Sequence, residues 1–129
     1  MRRRNTTNKP YNIRKSGLKE KFIDRQILAI HKAIVEKLII SPELVNKSIE
    51  RVEHLYQEGR MRHGTYLTWF CLLENIDDHA EFRKGVLEDS PRMNKLRRQT
   101  PLVGILNEDE RTEALHKFAC GETTLETML

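Results

Sequence analysis

The segment Leu18 to Ile40, LKEKFIDRQILAIHKAIVEKLII, constrains the fold more than any other part of the chain. Placed on an α-helix, Ile23, Ile27, Ile30, Ile34 and Leu38 fall on one narrow stripe, and Leu28, Val35 and Ile39 make a second stripe beside it. Together they cover about half of the cylinder. Lys19, Arg25, Lys32, Glu36 and Lys37 occupy the other half, so the segment is too charged to span a membrane. A helix of this kind is about 34 Å long at 1.5 Å per residue, enough to cross a small domain, and its wide apolar face needs at least two neighbours. The remaining segments are therefore expected to pack along it. The pattern is equally compatible with closure within one chain and with closure across a homodimer.

The chain has 129 residues, the length of one ordinary domain. Its 38% apolar and 33% charged residues, with only 6% aromatic, suit a helical protein and are too apolar for outright disorder. Two cysteines make no disulfide framework, which points to a reducing compartment. The basic start is followed by polar residues where a secretory signal needs an apolar segment, so a cytoplasmic protein is expected. The net charge of +4 is modest and says little by itself about a partner.

The distribution of charge says more. Residues 1 to 17, MRRRNTTNKPYNIRKSG, carry Arg2, Arg3, Arg4, Lys9, Arg14 and Lys15 without an acid. They lack a hydrophobic period and contain Pro10 and Gly17, which reads as a flexible basic arm able to grip phosphates. The tail from Glu108 onward is acidic. The expected organisation is thus an arm over 1–17 and one helical domain over 18–129.

Punctuation along the chain sets the other helices. Ser41-Pro42 is a helix start, with a serine N-cap and proline at the first helical position. From Pro42 to about Glu58, Leu44, Val45, Ile49, Val52, Leu55 and Tyr56 share one face, and Gly59 is a natural C-terminal cap. The loop after it, GRMRHG, holds Arg60, Arg62 and His63 and is a candidate anion loop. Thr65 to Asn75 is apolar around nearly its whole circumference, so it is expected to be the most buried helix, with Trp69 and Phe70 as core anchors. Asp78 with Glu81 has the capping-box spacing and opens a short helix from about His79 to Glu88, weakened by Gly85.

Ser90-Pro91 repeats the serine-proline start, and residues 91 to 99 carry Arg92, Lys95, Arg97 and Arg98 beside a thin apolar edge of Met93 and Leu96. This is a second basic element. Its four charges can meet phosphates or an acidic protein surface. Thr100-Pro101 ends it, and LVGIL at 102 to 106 reads as an extended connector tucked against the core. Asn107 with Glu110 makes a further capping box for a last helix expected to end at Gly121 and to bury Ala114, Leu115 and Phe118.

Catalytic signatures are absent from the sequence: it has no phosphate-binding glycine loop, no dinucleotide turn, no nucleophile elbow and no HExxH pair. Glu113-x-x-His116 has the spacing of a di-iron ligand pair, but no second copy exists to complete such a site, so neither a metal nor another cofactor is expected. His31 sits at the margin of the apolar face of the long helix, as a core histidine bonded to a neighbour would. Cys71 lies in so apolar a run that burial should make it inert, and Cys120 should be the more accessible thiol. No helix pair has the spacing of a helix-turn-helix.

The fold expected is therefore all-α, five or six helices packed around residues 18–40. Two functional classes lead. The first is a non-enzymatic protein-binding module, such as an inhibitor, an antitoxin-like partner or a complex subunit, using the basic helix against an acidic surface or the apolar residues 102 to 106. The second is a nucleic-acid-binding regulatory or accessory protein that contacts phosphates through the arm and through Arg92 to Arg98. An enzyme comes third, because nothing catalytic is recognisable.

Overall fold

This computed structural model describes the backbone over 4–128 and the side chains over 19–119, and the described residues form six helices. They are α1 (Arg4–Ile40), α2 (Pro42–Gln57), α3 (His63–Glu74), α4 (His79–Val86), α5 (Pro91–Arg98) and α6 (Glu108–Met128), with no strand among the described residues. The architecture is all-α. The arm expected at 1–17, with Arg2, Arg3, Arg4, Lys9, Arg14 and Lys15, and the thiol of Cys120 lie outside the residues whose side chains are described. The last helix continues through Gly121 rather than stopping there, which a helix tolerates at a cost of about 1 kcal/mol.

Helix α1 packs against α2, α4, α5 and α6, as its wide apolar face requires. Ile34, Val35 and Leu38 are buried, and Val45, Val52, Trp69, Leu73, Phe82, Val86, Met93 and Leu102 close over them. Coverage is uneven along the helix. Phe22 and Ile23 remain exposed because the neighbours gather around its second half.

Local chemistry explains most of the helix ends. The Asp78 carboxylate accepts the Glu81 N–H at 3.2 Å, and the Ser90 hydroxyl oxygen accepts the Met93 N–H at 3.2 Å. At α6 the box is reciprocal: Asn107 Oδ1 accepts from the Glu110 N–H at 2.8 Å, and Glu110 Oε1 accepts from the Asn107 N–H at 2.9 Å. The same Glu110 oxygen takes an ion pair from Lys37 Nζ at 2.6 Å, which ties the start of α6 to α1. Ser41 differs from expectation. Its side chain makes no cap bond, and its carbonyl accepts from Leu44 and Val45 at 3.0 and 3.3 Å while Pro42 supplies the fixed first position.

The end of α2 is a Schellman motif. The Gly59 N–H donates to the Tyr56 carbonyl at 3.0 Å, and the Arg60 N–H to the Leu55 carbonyl at 2.9 Å. Gly59 carries φ +76°, which a side chain adopts only with strain, although a Cβ there would touch nothing within 4 Å. Replacing Gly59 with alanine is therefore expected to cost about 1 kcal/mol through the backbone alone, read as a drop of a few degrees in melting temperature. A variant as stable as the parent would show that the turn does not need glycine.

Helix α3 is less buried than its composition suggests. Only Trp69 and Leu73, one turn apart, are enclosed. Leu67 and Cys71 lie about 200° further round the helix and are exposed, and Phe70 is half-buried. Neighbours on α2 and α4 cover one side of the cylinder only. The inert, buried thiol expected at Cys71 is thereby corrected to an exposed one. Gly85 also has a reason beyond tolerance, because a Cβ there would run into the Leu72 side chain where α4 crosses α3.

Connector residues Pro101 and Leu102 are buried, Ile105 and Leu106 pack against the core, and Val103 is exposed. A hydrogen-bond relay pins this connector to α1. Leu102 N–H donates to Thr100 Oγ1 at 3.1 Å, Thr100 Oγ1 and His31 Nε2 lie 3.0 Å apart, and His31 Nδ1 donates to the Ile27 carbonyl at 2.8 Å. Because a carbonyl only accepts, Nδ1 carries the proton and Nε2 accepts from the threonine hydroxyl.

Burial pushes the His31 pKa down to about 4, helped by the nearby Arg97 charge and opposed by the bond to Ile27. The unfolded imidazole, near 6.5, binds its proton first, so stability is full above about 6.5 and falls as the pH drops towards 4. The loss across that window is expected to be about 3 kcal/mol. Glu36 and Glu110, whose carboxyls Arg83 and Lys37 hold below their ordinary value of 4.5, add their own loss only below that pH. Urea unfolding at several pH values checks this, and a His31→Gln variant should lose most of the slope between 6.5 and 4.5. An unchanged slope would assign the effect elsewhere.

Candidate anion-binding groove

Helix spacing divides the basic element at 91–98 into two sets. Met93 and Arg97 are one turn apart and face inward, whereas Arg92, Lys95 and Arg98 step round the other side by about 60° each. Arg97 is 1% exposed. Its Nη1 donates to the Val86 carbonyl at 2.7 Å and the Glu88 carbonyl at 2.9 Å, its Nη2 donates to Asn94 Oδ1, and only Nε lacks a partner among the described residues. Desolvation lowers its pKa, opposed by the carboxylates of Asp89, Asp24 and Glu88. Arg97 is thus corrected from a partner-binding residue to a structural one. It holds the end of α4 and the turn after it onto α5.

Arg98 has a divided role. It makes a two-point bond to Asp24 of α1, Nε to Oδ1 at 2.7 Å and Nη2 to Oδ2 at 3.0 Å, with Glu20 at 3.9 Å. The bond to Asp24 holds its pKa above the ordinary value. The fork matches the carboxylate in a way that lysine would not. Arg92 reaches across to α3, donating from Nη2 to Thr68 Oγ1 at 2.6 Å, while that hydroxyl donates to the Gly64 carbonyl at 2.9 Å.

The outward set does not stand alone. Arg92, Lys95 and Arg98 form one wall of a groove of about 650 Å³ whose other wall carries Arg51 from α2 and Arg60 and Arg62 from the loop after it. Leu55, Met61, Leu96 and Val103 lie between the charges, and Thr65, Gln99 and Thr100 complete the lining. No acidic side chain lines it. Two of the six cations are partly neutralised from outside, Arg98 by Asp24 and Arg60 by Glu58 at 3.3 Å. Arg51, Arg62 and Lys95 make no ion pair with the described residues, so their charge faces the groove uncompensated.

The tertiary structure thus unites the candidate anion loop with the basic helix. Their separation in sequence is bridged because the Schellman turn folds Arg60 and Arg62 back beside Leu55, opposite α5. His63 leaves the set. It opens α3, shares a 2.9 Å hydrogen bond with the Tyr56 hydroxyl, and lies tilted against the Tyr56 ring at 5.6 Å. Arg51 was missed. Its signal was the one-turn spacing to Leu55 at the edge of the apolar stripe, but nothing local announces what lies opposite.

A narrower slot of about 270 Å³ adjoins the groove at Arg98, Thr100 and Val103 and runs between α1 and the connector, lined by Ile27, Ile30, Ile34, Leu102 and Leu106. Glu113 and His116 lie exposed on α6, away from both cavities. Among the described residues no helix is long and apolar enough to cross a membrane. No family model, curated protein or solved structure matches the chain. Fold and lining alone therefore describe its class: an all-α protein with an arginine-rich groove.

Proposed function

We propose that this chain is a non-enzymatic nucleic-acid-binding protein of the cytoplasm, which holds a phosphate backbone in the groove between α2 and α5. The observation that carries the reading is the convergence of Arg51, Arg60, Arg62, Arg92, Lys95 and Arg98 on one concavity with no acidic side chain in its lining. Arginine forks suit phosphate oxygens, and cations spread along a groove suit a ligand with charge at regular intervals. The basic residues of the arm, Arg2 to Lys15, would extend the contact beyond the groove. Cations dominate the lining, so the affinity should be mainly electrostatic and tolerant of sequence.

The test is fluorescence anisotropy of a labelled oligonucleotide over a range of salt concentrations. About five phosphate contacts give a log–log slope near −3.5 for a single strand and a steeper one for a duplex. Absence of binding at low salt would end the reading.

A second reading is favoured by the apolar slot. An acidic segment of a partner protein would lay its carboxylates along the groove and set one aliphatic side chain beside Val103, between Ile27 and Leu106. Arginine and methionine in the lining are also what protein interfaces enrich. The same titration separates the two, because a protein-binding groove captures a defined partner that survives nuclease and moderate salt, and shows no salt-graded affinity for oligonucleotides.

A further inference from the structure

We infer that the nucleic acid taken by the groove is single-stranded, with its phosphodiester chain lying in the groove and a base stacked on the exposed ring of Tyr56. This rests on the nucleic-acid reading and narrows it.

The cations come from both walls of a concavity rather than from a flat or convex face. A duplex carries its phosphates on the outside of a wide cylinder, which can meet one rim of such a groove but cannot enter it. A single strand can enter and present phosphates to Arg51 and Arg62 on one side and to Lys95 on the other. The apolar side chains between the charges, Leu55, Met61 and Leu96, add nothing to phosphate binding but suit the faces of sugars and bases.

Next in the chain to Leu55, which lines the groove, begins a ready stacking surface that is not itself part of the lining. Tyr56, Tyr66 and Phe70 form a ladder, with Tyr56 and Tyr66 at 4.3 Å between centroids and 9° between planes, and Tyr66 and Phe70 at 5.6 Å. Tyr56 is 36% exposed, with Tyr66 stacked on it and the His63 ring tilted beside it at 5.6 Å, so part of its ring surface stays open to solvent. The hydrogen bond shared by its hydroxyl group and His63 Nδ1 and the packing on Tyr66 fix the ring before any ligand arrives. Placement follows from the chain itself. Tyr56 and His63 bracket the loop that delivers Arg60 and Arg62 to the groove, and Leu55, the neighbour of Tyr56, lines it. A charged groove flanked by an exposed, braced aromatic ring is the arrangement by which proteins hold single strands without reading their sequence.

The experiment compares a short oligothymidylate containing one 2-aminopurine with the duplex of the same sequence, using the full chain and its Tyr56→Ala and Tyr56→Phe variants. Anisotropy reads affinity, and 2-aminopurine fluorescence reads stacking, which a merely structural tyrosine would not change. Expected are about tenfold tighter binding of the single strand than of the duplex, quenching on binding, and a loss of about tenfold with Tyr56→Ala that Tyr56→Phe avoids. Melting curves of the variants confirm that they fold. Equal or tighter duplex binding, or a single strand that binds Tyr56→Ala as well as the parent without altered quenching, overturns this inference and leaves the nucleic-acid reading standing. Binding of neither ligand overturns both.

Discussion

Replacing Arg97 with alanine is expected to destabilise the protein by about 3 kcal/mol or more, a drop of about ten degrees in melting temperature for a chain of this size. The loss has two parts. The guanidinium fills core volume between α4 and α5, so its removal leaves a cavity. It also satisfies the Val86 carbonyl, which is buried away from water, and the part-buried Glu88 carbonyl and Asn94 Oδ1. An Arg97→Lys variant separates these parts. Lysine restores charge and much of the volume, but a single ammonium cannot reach all three acceptors held by the planar fork, so it should recover less than half of the loss. Thermal unfolding with urea titration decides the matter. A variant within 1 kcal/mol of the parent would mean that the buried network contributes little and that Arg97 can be treated as a surface charge.

The contrasting experiment reverses charge where the fold does not use it. The triple variant Arg51→Glu, Arg62→Glu, Lys95→Glu is expected to melt within a few degrees of the parent, because all three side chains are exposed and none makes an ion pair with the described residues. Its affinity for a single strand should fall by about 100-fold or more at moderate salt, and the log–log slope should lose about 2 units, as the loss of three phosphate contacts requires. Reversal is chosen over neutralisation because a carboxylate both removes a contact and repels the next phosphate. Retained affinity would place the binding site outside the groove. Retained affinity that disappears on deleting residues 2 to 15 would place it on the arm.

These two experiments separate residues that composition lumps together. Arg92, Lys95, Arg97 and Arg98 stand within seven positions, yet one is core and three face the groove, one of these shared with Asp24. Helical spacing alone sorts part of this, since Met93 and Arg97 share a face. What spacing could not supply is that Val86, Glu88 and Asn94 would meet the guanidinium there, because two of those partners belong to a different helix end. The candidate site was legible in the same partial way. Arg60, Arg62, Arg92, Lys95 and Arg98 were all visible as cations outside the apolar stripes, whereas Arg51 looked like any other solvated residue of α2.

The sequence by itself determined where α2, α4, α5 and α6 start, where α2 stops and which face of α1 is buried. Those outcomes depend on interactions within a few residues: Asp78 with Glu81, Ser90 with Met93, Asn107 with Glu110, the left-handed Gly59, and the one-turn repeat of Ile34 and Leu38. Tertiary structure alone decided that α3 leaves Cys71 and Leu67 exposed, that Arg97 is buried and His31 neutral, and that a loop after α2 faces a helix some thirty residues later across one groove. The physical reason is range. Caps and periodicity act through bonds closed within a turn or two, while burial and the meeting of charges depend on which distant segments supply the other half of the surface.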